Sequence, residues 1–158
     1  MAYREIRKDG DEVLRKKSRA VEAINEKIFL LIEDMADTMY KSDGVGLAAP
    51  QIGILKRIVV IDVGDGLFEM INPVILEQRG EQDGIEGCLS MPGTSGEVKR
   101  PMNVKAKYKD VNGEMVTIEA EGLFARAICH ELDHLDGILY KDKAHKMYTK
   151  KEIEDMQK

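Results

Sequence analysis

Two histidines, His130 and His134, stand four residues apart, and Glu131 follows the first of them. A helix turns once in 3.6 residues, so on a helix both imidazoles would project from one face and could bind the same metal ion. Glu131 would lie about 100° around the helix, within reach of a metal-bound water. The alternative is a pair of core histidines, which would bury Glu131 and Asp133 at considerable cost. The spacing therefore favours a catalytic metal centre.

Such a centre usually has three protein ligands and a water, so a third ligand is needed. One candidate is a carboxylate after the helix, Glu152 or Glu154, as in zinc peptidases. The other is Cys88, whose thiolate is a strong, soft ligand. Spacing alone does not decide between them, although a C-terminal carboxylate would sit on a weakly anchored segment. Ligand type alone predicts zinc. The second cysteine, Cys129, is expected to be a small buried side chain that points away from the helix face carrying the two histidines.

Composition narrows the class of protein. The chain has 158 residues, of which 43% are hydrophobic and 34% charged, and its net charge is −5. This balance is typical of a folded globular domain, and the acidic charge argues against nucleic acid as the main ligand. No apolar stretch approaches the ~20 residues of a membrane-spanning helix, and the first residues lack the apolar run of a signal peptide. We therefore expect one domain, residues 1–158, in the cytoplasm, with no membrane partner and no specific nucleic-acid site.

Two long helices are predicted. Apolar residues recur at helical spacing over residues 25–41, with Asn25 as the N-cap. The second helix covers residues 123–136, carries the histidine pair and ends at Gly137. Its metal face, which also includes Leu123, should be buried. Weaker helical patterns lie over residues 11–17 and 152–156. The stripe predicted to be buried on the first helix is Ile28, Leu31, Ile32, Met35 and Met39.

The remaining elements are predicted as strands and loops. Glycines and a proline in residues 42–53 indicate a loop, and an unusually apolar one. We expect an α+β domain in which antiparallel or mixed sheets wrap around the central metal-binding helix, with the N-terminal helix packed outside. The predicted strands are residues 57–63, residues 68–78 with an interruption at Asn72-Pro73, and a hairpin of residues 103–110 and 114–121 across Asn112-Gly113.

Three segments resemble, in order, the three motifs of the peptide deformylase family. They are residues 44–51 (GVGLAAPQ), 86–90 (EGCLS) and 130–134 (HELDH), which together cover 18 positions. The lengths between the motifs also resemble the family across nearly the whole chain. The resemblance implies an enzyme that removes the formyl group from formyl-methionine at the N-terminus of newly made polypeptides and releases formate.

The resemblance also implies roles for single residues. Cys88, His130 and His134 would bind one divalent ion, ferrous in this family, with nickel, cobalt or zinc as substitutes. Metal-bound hydroxide would attack the formyl carbon, with Glu131 as general base and then general acid. The side-chain amide of Gln51 and the backbone N–H of Leu89 would donate to the developing oxyanion. Without the resemblance, Gln51 is more simply a surface glutamine in a loop.

A pocket for the methionine side chain and a set of supporting residues are also expected. Gly46 would let substrate approach the backbone, and Arg126 would line the pocket with its stem while its charge reaches solvent. The other pocket candidates, each of which could equally be ordinary core, are Val45, Ile85, Leu123 and Ala127. The residues that would orient the histidines, or alternatively form a surface ion pair, are Glu86, Arg100 and Asp133.

The C-terminal segment is locally basic. Residues 140–151 contain five lysines and one aspartate. The simpler interpretation is a solvated lysine-rich end, and the functional alternative is a transient contact with the ribosome, where formyl-methionyl nascent polypeptides emerge.

Two rival hypotheses remain for the whole chain. One is a zinc peptidase with a downstream glutamate ligand, and the other is a metal-binding module without catalytic activity.

Overall fold

Eight strands and three α-helices make up the fold, which is seen in a computed structural model that describes residues 2–158. Three short 3₁₀ helices connect them, at Glu12–Arg15, Ala49–Ile52 and Tyr140–Asp142. In chain order the helices and strands are α1 (Glu26–Lys41), β1 (Gly46–Ala48), β2 (Ile58–Ile61), β3 (Phe68–Arg79), β4 (Gln82–Glu86), β5 (Thr94–Arg100), β6 (Asn103–Lys109), β7 (Met115–Glu121), α2 (Leu123–Leu135), β8 (Lys146–Thr149) and α3 (Lys150–Met156).

The strands form two antiparallel sheets. The larger has five strands in the order β1-β2-β3-β6-β7, and the smaller has three in the order β4-β5-β8. Every neighbouring pair of these strands runs antiparallel. The predicted α+β class is confirmed, and of the two sheet types that we expected, the antiparallel one is present.

The larger sheet separates the two long helices. Side chains alternate along β2, so Ile58 and Val60 join the core under α1, while Val59 and Ile61 join the core under α2. All five residues of the predicted stripe on α1 are buried. The side chain of Asn25 caps this helix by accepting a hydrogen bond from the backbone N–H of Ile28 at 3.1 Å. The prediction that the N-terminal helix packs outside the sheet is confirmed.

Helix α2 lies between the two sheets, and its predicted end is confirmed. Gly137 follows the helix with φ of 75°, and a Cβ built there would lie 2.5 Å from the carbonyl oxygen of Arg15, so only glycine fits. The helix is not buried along its whole metal face, however. Leu123, in the first turn, is 56% exposed, because this end of the helix opens onto a cleft.

Four strands lie where no strand was predicted from the residue pattern. β1 occupies part of the predicted loop, and all three of its residues are buried. β4, β5 and β8 form the whole smaller sheet, and none of them was predicted. Strand β3 runs through the predicted interruption, although its register with β6 shifts between Ile71 and Val74, and Asn72 has a φ of 53°.

The two weaker helical patterns have different outcomes. Residues 11–17 form only a single 3₁₀ turn, at Glu12–Arg15, whereas residues 152–156 lie within helix α3. The chain before α3 is anchored rather than loose, because Tyr140 and Tyr148 are buried and β8 pairs with β5. None of the helices in residues 2–158 is long and apolar enough to cross a membrane.

Candidate active site

Three potential metal donors converge between the two sheets. His130 and His134 lie one turn apart on α2, and Cys88 lies in the turn that follows β4. The sulfur of Cys88 is 3.3 Å from Nε2 of His134. One donor atom from each of the three residues lies within 4.8 Å of the other two, a spacing that allows all three to bind one ion. Glu152 and Glu154, the rival donors, are exposed on α3.

A buried carboxylate holds the first histidine. Glu86, at the end of β4, lies with Oε1 2.9 Å from Nδ1 of His130, which leaves Nε2 of that ring for a metal. Arg100 donates two hydrogen bonds to the same carboxylate, both at 2.8 Å. Burial alone would raise the pKa of Glu86, but the hydrogen bonds from Arg100 and His130 outweigh burial and lower it to about 2.

Arg100 also connects this carboxylate to Asp133. Its Nη1 donates to Oδ2 of Asp133 at 2.7 Å, and Arg100 itself is only 3% exposed. Lys143 reaches Asp133 from the solvent side at 2.9 Å. The three residues expected to support the histidines therefore form one connected network beneath them, and Arg100 is not part of a surface ion pair.

The expectation that the charge of Arg126 reaches solvent is wrong. The residue is 6% exposed, and its Nη1 donates to Oε2 of Glu86 at 2.6 Å and to the carbonyl oxygen of Val98 at 2.9 Å. A second carbonyl oxygen, that of Gly84, lies 3.4 Å from the same nitrogen. The guanidinium turns inward because Glu86 and two strand carbonyls offer it acceptors that an apolar pocket would not.

Glu131 lines the same cleft as Cys88 and His130. It is 4% exposed, and its Oε1 has no hydrogen-bond partner within residues 2–158. Burial raises the pKa of Glu131 to about 7, which suits a group that exchanges a proton near neutral pH. Its other oxygen occupies the space beside Gly46, where a Cβ would lie 2.4 Å from Oε2. The missing side chain of Gly46 is therefore what admits the Glu131 carboxylate.

Gln51 is held in a fixed orientation and is almost fully buried. Its Oε1 accepts from the backbone N–H of Ala48 at 2.9 Å, so its Nε2 must point towards the donor cluster. That nitrogen lies 3.1 Å from Oγ of Ser90 and 3.5 Å from the sulfur of Cys88. The interpretation as a surface loop glutamine is excluded by this burial.

A cleft with a volume of about 330 Å³ leads to these residues. It is lined by Gln51, Cys88, Leu89, His130 and Glu131. All six expected pocket residues also line it: Val45, Gly46, Ile85, Leu123, Arg126 and Ala127. Val45, Ile85 and Leu123 are the exposed apolar side chains at its rim. The cleft thus combines an apolar entrance with a polar end.

Sequence reasoning missed three contributors. Asp43 lines the cleft, Ser90 binds the amide of Gln51, and Tyr140 stacks on His130 with ring centroids 6.0 Å apart. The hydroxyl of Tyr140 is fixed by Oγ of Thr94 at 3.0 Å. Ser90 could have been found from its place in the second motif, but the sequence carries no signal that places Tyr140 against the histidine.

The arrangement defines a class of protein. Three convergent donors, a buried carboxyl beside them and a cleft that opens onto both are the parts of a metallohydrolase. The comparisons with known proteins are more specific. The polypeptide deformylase family model matches residues 3–150. A peptide deformylase of Acetivibrio thermocellus is 59% identical over 154 residues, which is 98% of this chain and 91% of that protein.

Solved structures agree with the sequence matches. The peptide deformylase of Thermotoga maritima superimposes with a TM-score of 0.90 and 46% identity, covering 91% of this chain and 99% of that one. The peptide deformylase of Synechococcus elongatus in complex with actinonin superimposes with a TM-score of 0.86 and 41% identity, covering 95% of this chain and 81% of that one. The chain belongs to the polypeptide deformylase family. It is an enzyme that removes the N-terminal formyl group from nascent peptides, as its family does, and that family is metal-dependent.

Proposed function

We propose that Cys88, His130 and His134 hold the metal ion of this deformylase and that Glu131 handles the proton of the reaction. The observation that carries this proposal is the convergence of the three donor atoms within 4.8 Å of one another beside a buried carboxyl. No other histidine or cysteine competes for the role, since His145 lies on the smaller sheet and Cys129 belongs to the core under α2.

The residues fit a divalent ion of the first transition row. One thiolate and two imidazoles suit iron, cobalt, nickel or zinc, and Glu86 fixes the ring of His130 so that Nε2 can face the ion. The ion assigned here is ferrous iron, by resemblance to the family. When bound, it would lower the pKa of a water molecule and polarise the formyl carbonyl.

Glu131 would first accept a proton and later deliver it to the leaving amine. Its pKa of about 7 means that it holds and releases a proton with similar ease near neutral pH. The Nε2 amide of Gln51 and the backbone N–H of Leu89 would donate to the formyl oxygen as negative charge develops on it. Gln51 needs little reorganisation for this role, because Ala48 already fixes its other end.

The methionine side chain of the substrate would occupy the apolar part of the cleft. Val45, Ile85 and Leu123 are exposed there and would lose contact with water on binding, which favours an apolar side chain. Arg126 and Ala127 would form the floor of this pocket. Because the charge of Arg126 is bound by Glu86 beneath the pocket, it offers the substrate its stem.

The proposal also covers where the enzyme works. We assign it to the cytoplasm, where formyl-methionyl nascent chains are made. A transient contact with the ribosome would use the lysine-rich segment of residues 140–151, in which Lys146, Lys150 and Lys151 are exposed and could touch an anionic surface.

The test compares formate release from a formyl-Met-Ala-Ser peptide with metal content, in anaerobically prepared, iron- or nickel-loaded protein. We expect Glu131→Ala to keep its metal and to lose about 10²–10⁴-fold in turnover. Cys88→Ala should lose both metal and turnover. Cys129→Ala is the matched control, since it also removes a cysteine, and it should keep both.

Two results would contradict the assignment. The first is a Cys88→Ala protein that binds metal as the parent does, in which case Glu154→Ala would be the next variant to examine. The second is a Glu131→Ala protein with undiminished turnover, which would remove the proton-transfer role.

A further inference from the structure

A second cluster of donor atoms lies on the smaller sheet, away from the active site. Asp83 is on β4, Glu97 is on β5 and His145 directly precedes β8. One donor atom from each lies within 4.8 Å of the other two. We propose that these three side chains form a second metal site, which takes a zinc-like divalent ion.

The sheet itself places the three donors together. Ile85 pairs with Glu97 across β4 and β5, and Asp83 lies two residues before Ile85, so Asp83 and Glu97 point to the same face. The backbone N–H of His145 donates to the carbonyl oxygen of Glu97 at 3.0 Å, which brings the histidine to that face. Tyr148 donates to Oε1 of Glu97 and leaves Oε2 for the cluster. The backbone hydrogen bonds of the smaller sheet thus bring the three donors together before any ion arrives.

The distances suit a single ion. Nε2 of His145 lies 2.9 Å from Oδ2 of Asp83 and 3.6 Å from Oε2 of Glu97. An ion about 2.1 Å from each donor would make angles of about 90° and 120° at these separations, within the range of tetrahedral or octahedral coordination. Without an ion, the two carboxylates still face the same ring nitrogen, so an ion would occupy the space between the three donor atoms.

The donor set selects the kind of ion. An imidazole with two carboxylates and no thiolate suits zinc, nickel or cobalt, whereas calcium and magnesium take oxygen ligands. The side chains of Asp83, Glu97 and His145 are 42%, 29% and 43% exposed, so water can complete the coordination and the ion can exchange with solvent. This site should bind more weakly than the buried one, which has a thiolate.

An ion bound at this second site would restrain one wall of the substrate cleft. It would join β4, β5 and the chain before β8 on the face that carries Ile85, and Ile85 lines the cleft. The second site would therefore brace the strand that forms one side of the substrate entrance.

The first experiment counts bound Zn²⁺ by equilibrium dialysis near neutral pH, using the parent, His145→Lys, Cys88→Ala and the double variant. Lysine places a positive charge between the two carboxylates, so they have a counter-ion while the imidazole ligand is lost. We expect about two equivalents in the parent, about one in each single variant and almost none in the double variant. Asp65→Asn, which removes an exposed carboxylate outside the cluster, should behave as the parent.

A second measurement does not depend on deformylase activity. In the Cys88→Ala background, Zn²⁺ should raise the unfolding temperature, because an ion that binds only the folded state stabilises it. The added His145→Lys change should abolish that rise. Equal Zn²⁺ stoichiometry in the parent and in His145→Lys would overturn the proposal, as would a parent that binds only one equivalent. Neither result would affect the assignment of the catalytic donors.

Discussion

Replacing Gly46 with alanine tests how closely Glu131 is fitted to its place. The new Cβ would lie 2.4 Å from Oε2, 2.8 Å from Cδ and 2.9 Å from Cγ of Glu131. Ordinary contacts begin near 3.5 Å, so the carboxylate must move by about 1 Å. It cannot move freely, because Glu131 is a residue of α2 and its side chain is buried, with only 4% of the residue exposed.

A displacement of this size at a reacting group costs about 100-fold in rate. We therefore expect kcat for formate release to fall about 100-fold in Gly46→Ala. Metal content should not change, because the three atoms nearest the new methyl group all belong to Glu131 and none to a metal donor. Overpacking should lower the free energy of unfolding by about 1–3 kcal/mol, which a folded domain tolerates.

Two controls separate this effect from others. Gly87→Ala makes the same change on the wall of the same cleft, but its Cβ meets nothing closer than 3.9 Å, so its kcat should stay close to that of the parent. In a Glu131→Ala background the clash is absent, so adding Gly46→Ala should cost no further activity. A Gly46→Ala protein with kcat within about threefold of the parent would refute the reasoning, because the predicted 1 Å displacement would then not matter.

Three further predictions concern stability. Arg126→Leu should lower the free energy of unfolding by about 2–3 kcal/mol in urea denaturation, because Glu86 loses a charged hydrogen bond in a buried site; an unchanged midpoint would contradict this. Asn72→Ala should cost about 2–3 kcal/mol, since it removes two hydrogen bonds to the main chain and leaves alanine at a φ of 53°, and Asn72→Gly should cost less. The hydrogen bond from Arg15 lowers the pKa of Asp142 below its usual 3.8, so this carboxylate stabilises the fold above that pH and ceases to do so as the pH falls through and below it. The difference in Tm between the parent and Asp142→Asn should therefore shrink on acidification. A difference that stays constant with pH would contradict this role of the ionised carboxylate.

The elements that could be predicted are those whose pattern is local. Helix α1 carries its own cap and an apolar stripe, and α2 ends at a glycine that no other residue could replace. The β6–β7 hairpin has alternating strands around an Asn-Gly turn, and it forms as predicted. Each of these signals lies within a few residues of the structure it specifies.

The smaller sheet could not be predicted, because the inward-facing positions of its central strand are not consistently apolar. On β5 these positions are Gly96, Val98 and Arg100. Gly96 is small because Met147, Ala144 and Tyr140 fill the space that its side chain would take. The charge of Arg100 is neutralised by residues of β4 and α2, which are distant in sequence. The alternation that marks a strand is therefore absent, although the strand is half buried.

In the candidate site, too, some features could be predicted from local motifs and others depend on residues distant in sequence. Convergence of Cys88 with the two histidines was expected from the motifs, and the structure brings these side chains together. The orientation of Arg126 could not be inferred, because a long side chain follows its acceptors, and the acceptors come from β4 and β5. The support that Tyr140 gives to His130 depends likewise on where the C-terminal segment returns to the fold.

The donors come from widely separated parts of the chain, since Cys88 and His134 are 46 positions apart in the sequence. During synthesis, the thiol therefore leaves the ribosome before α2 exists, and it stays unliganded and open to oxidation until the helix has folded against both sheets. Tyr140 and β8 emerge later still. A molecule of this chain thus gains its active site only when almost all of it has been made. Before then, a formylated N-terminus on this chain could be processed only by another deformylase molecule that is already complete.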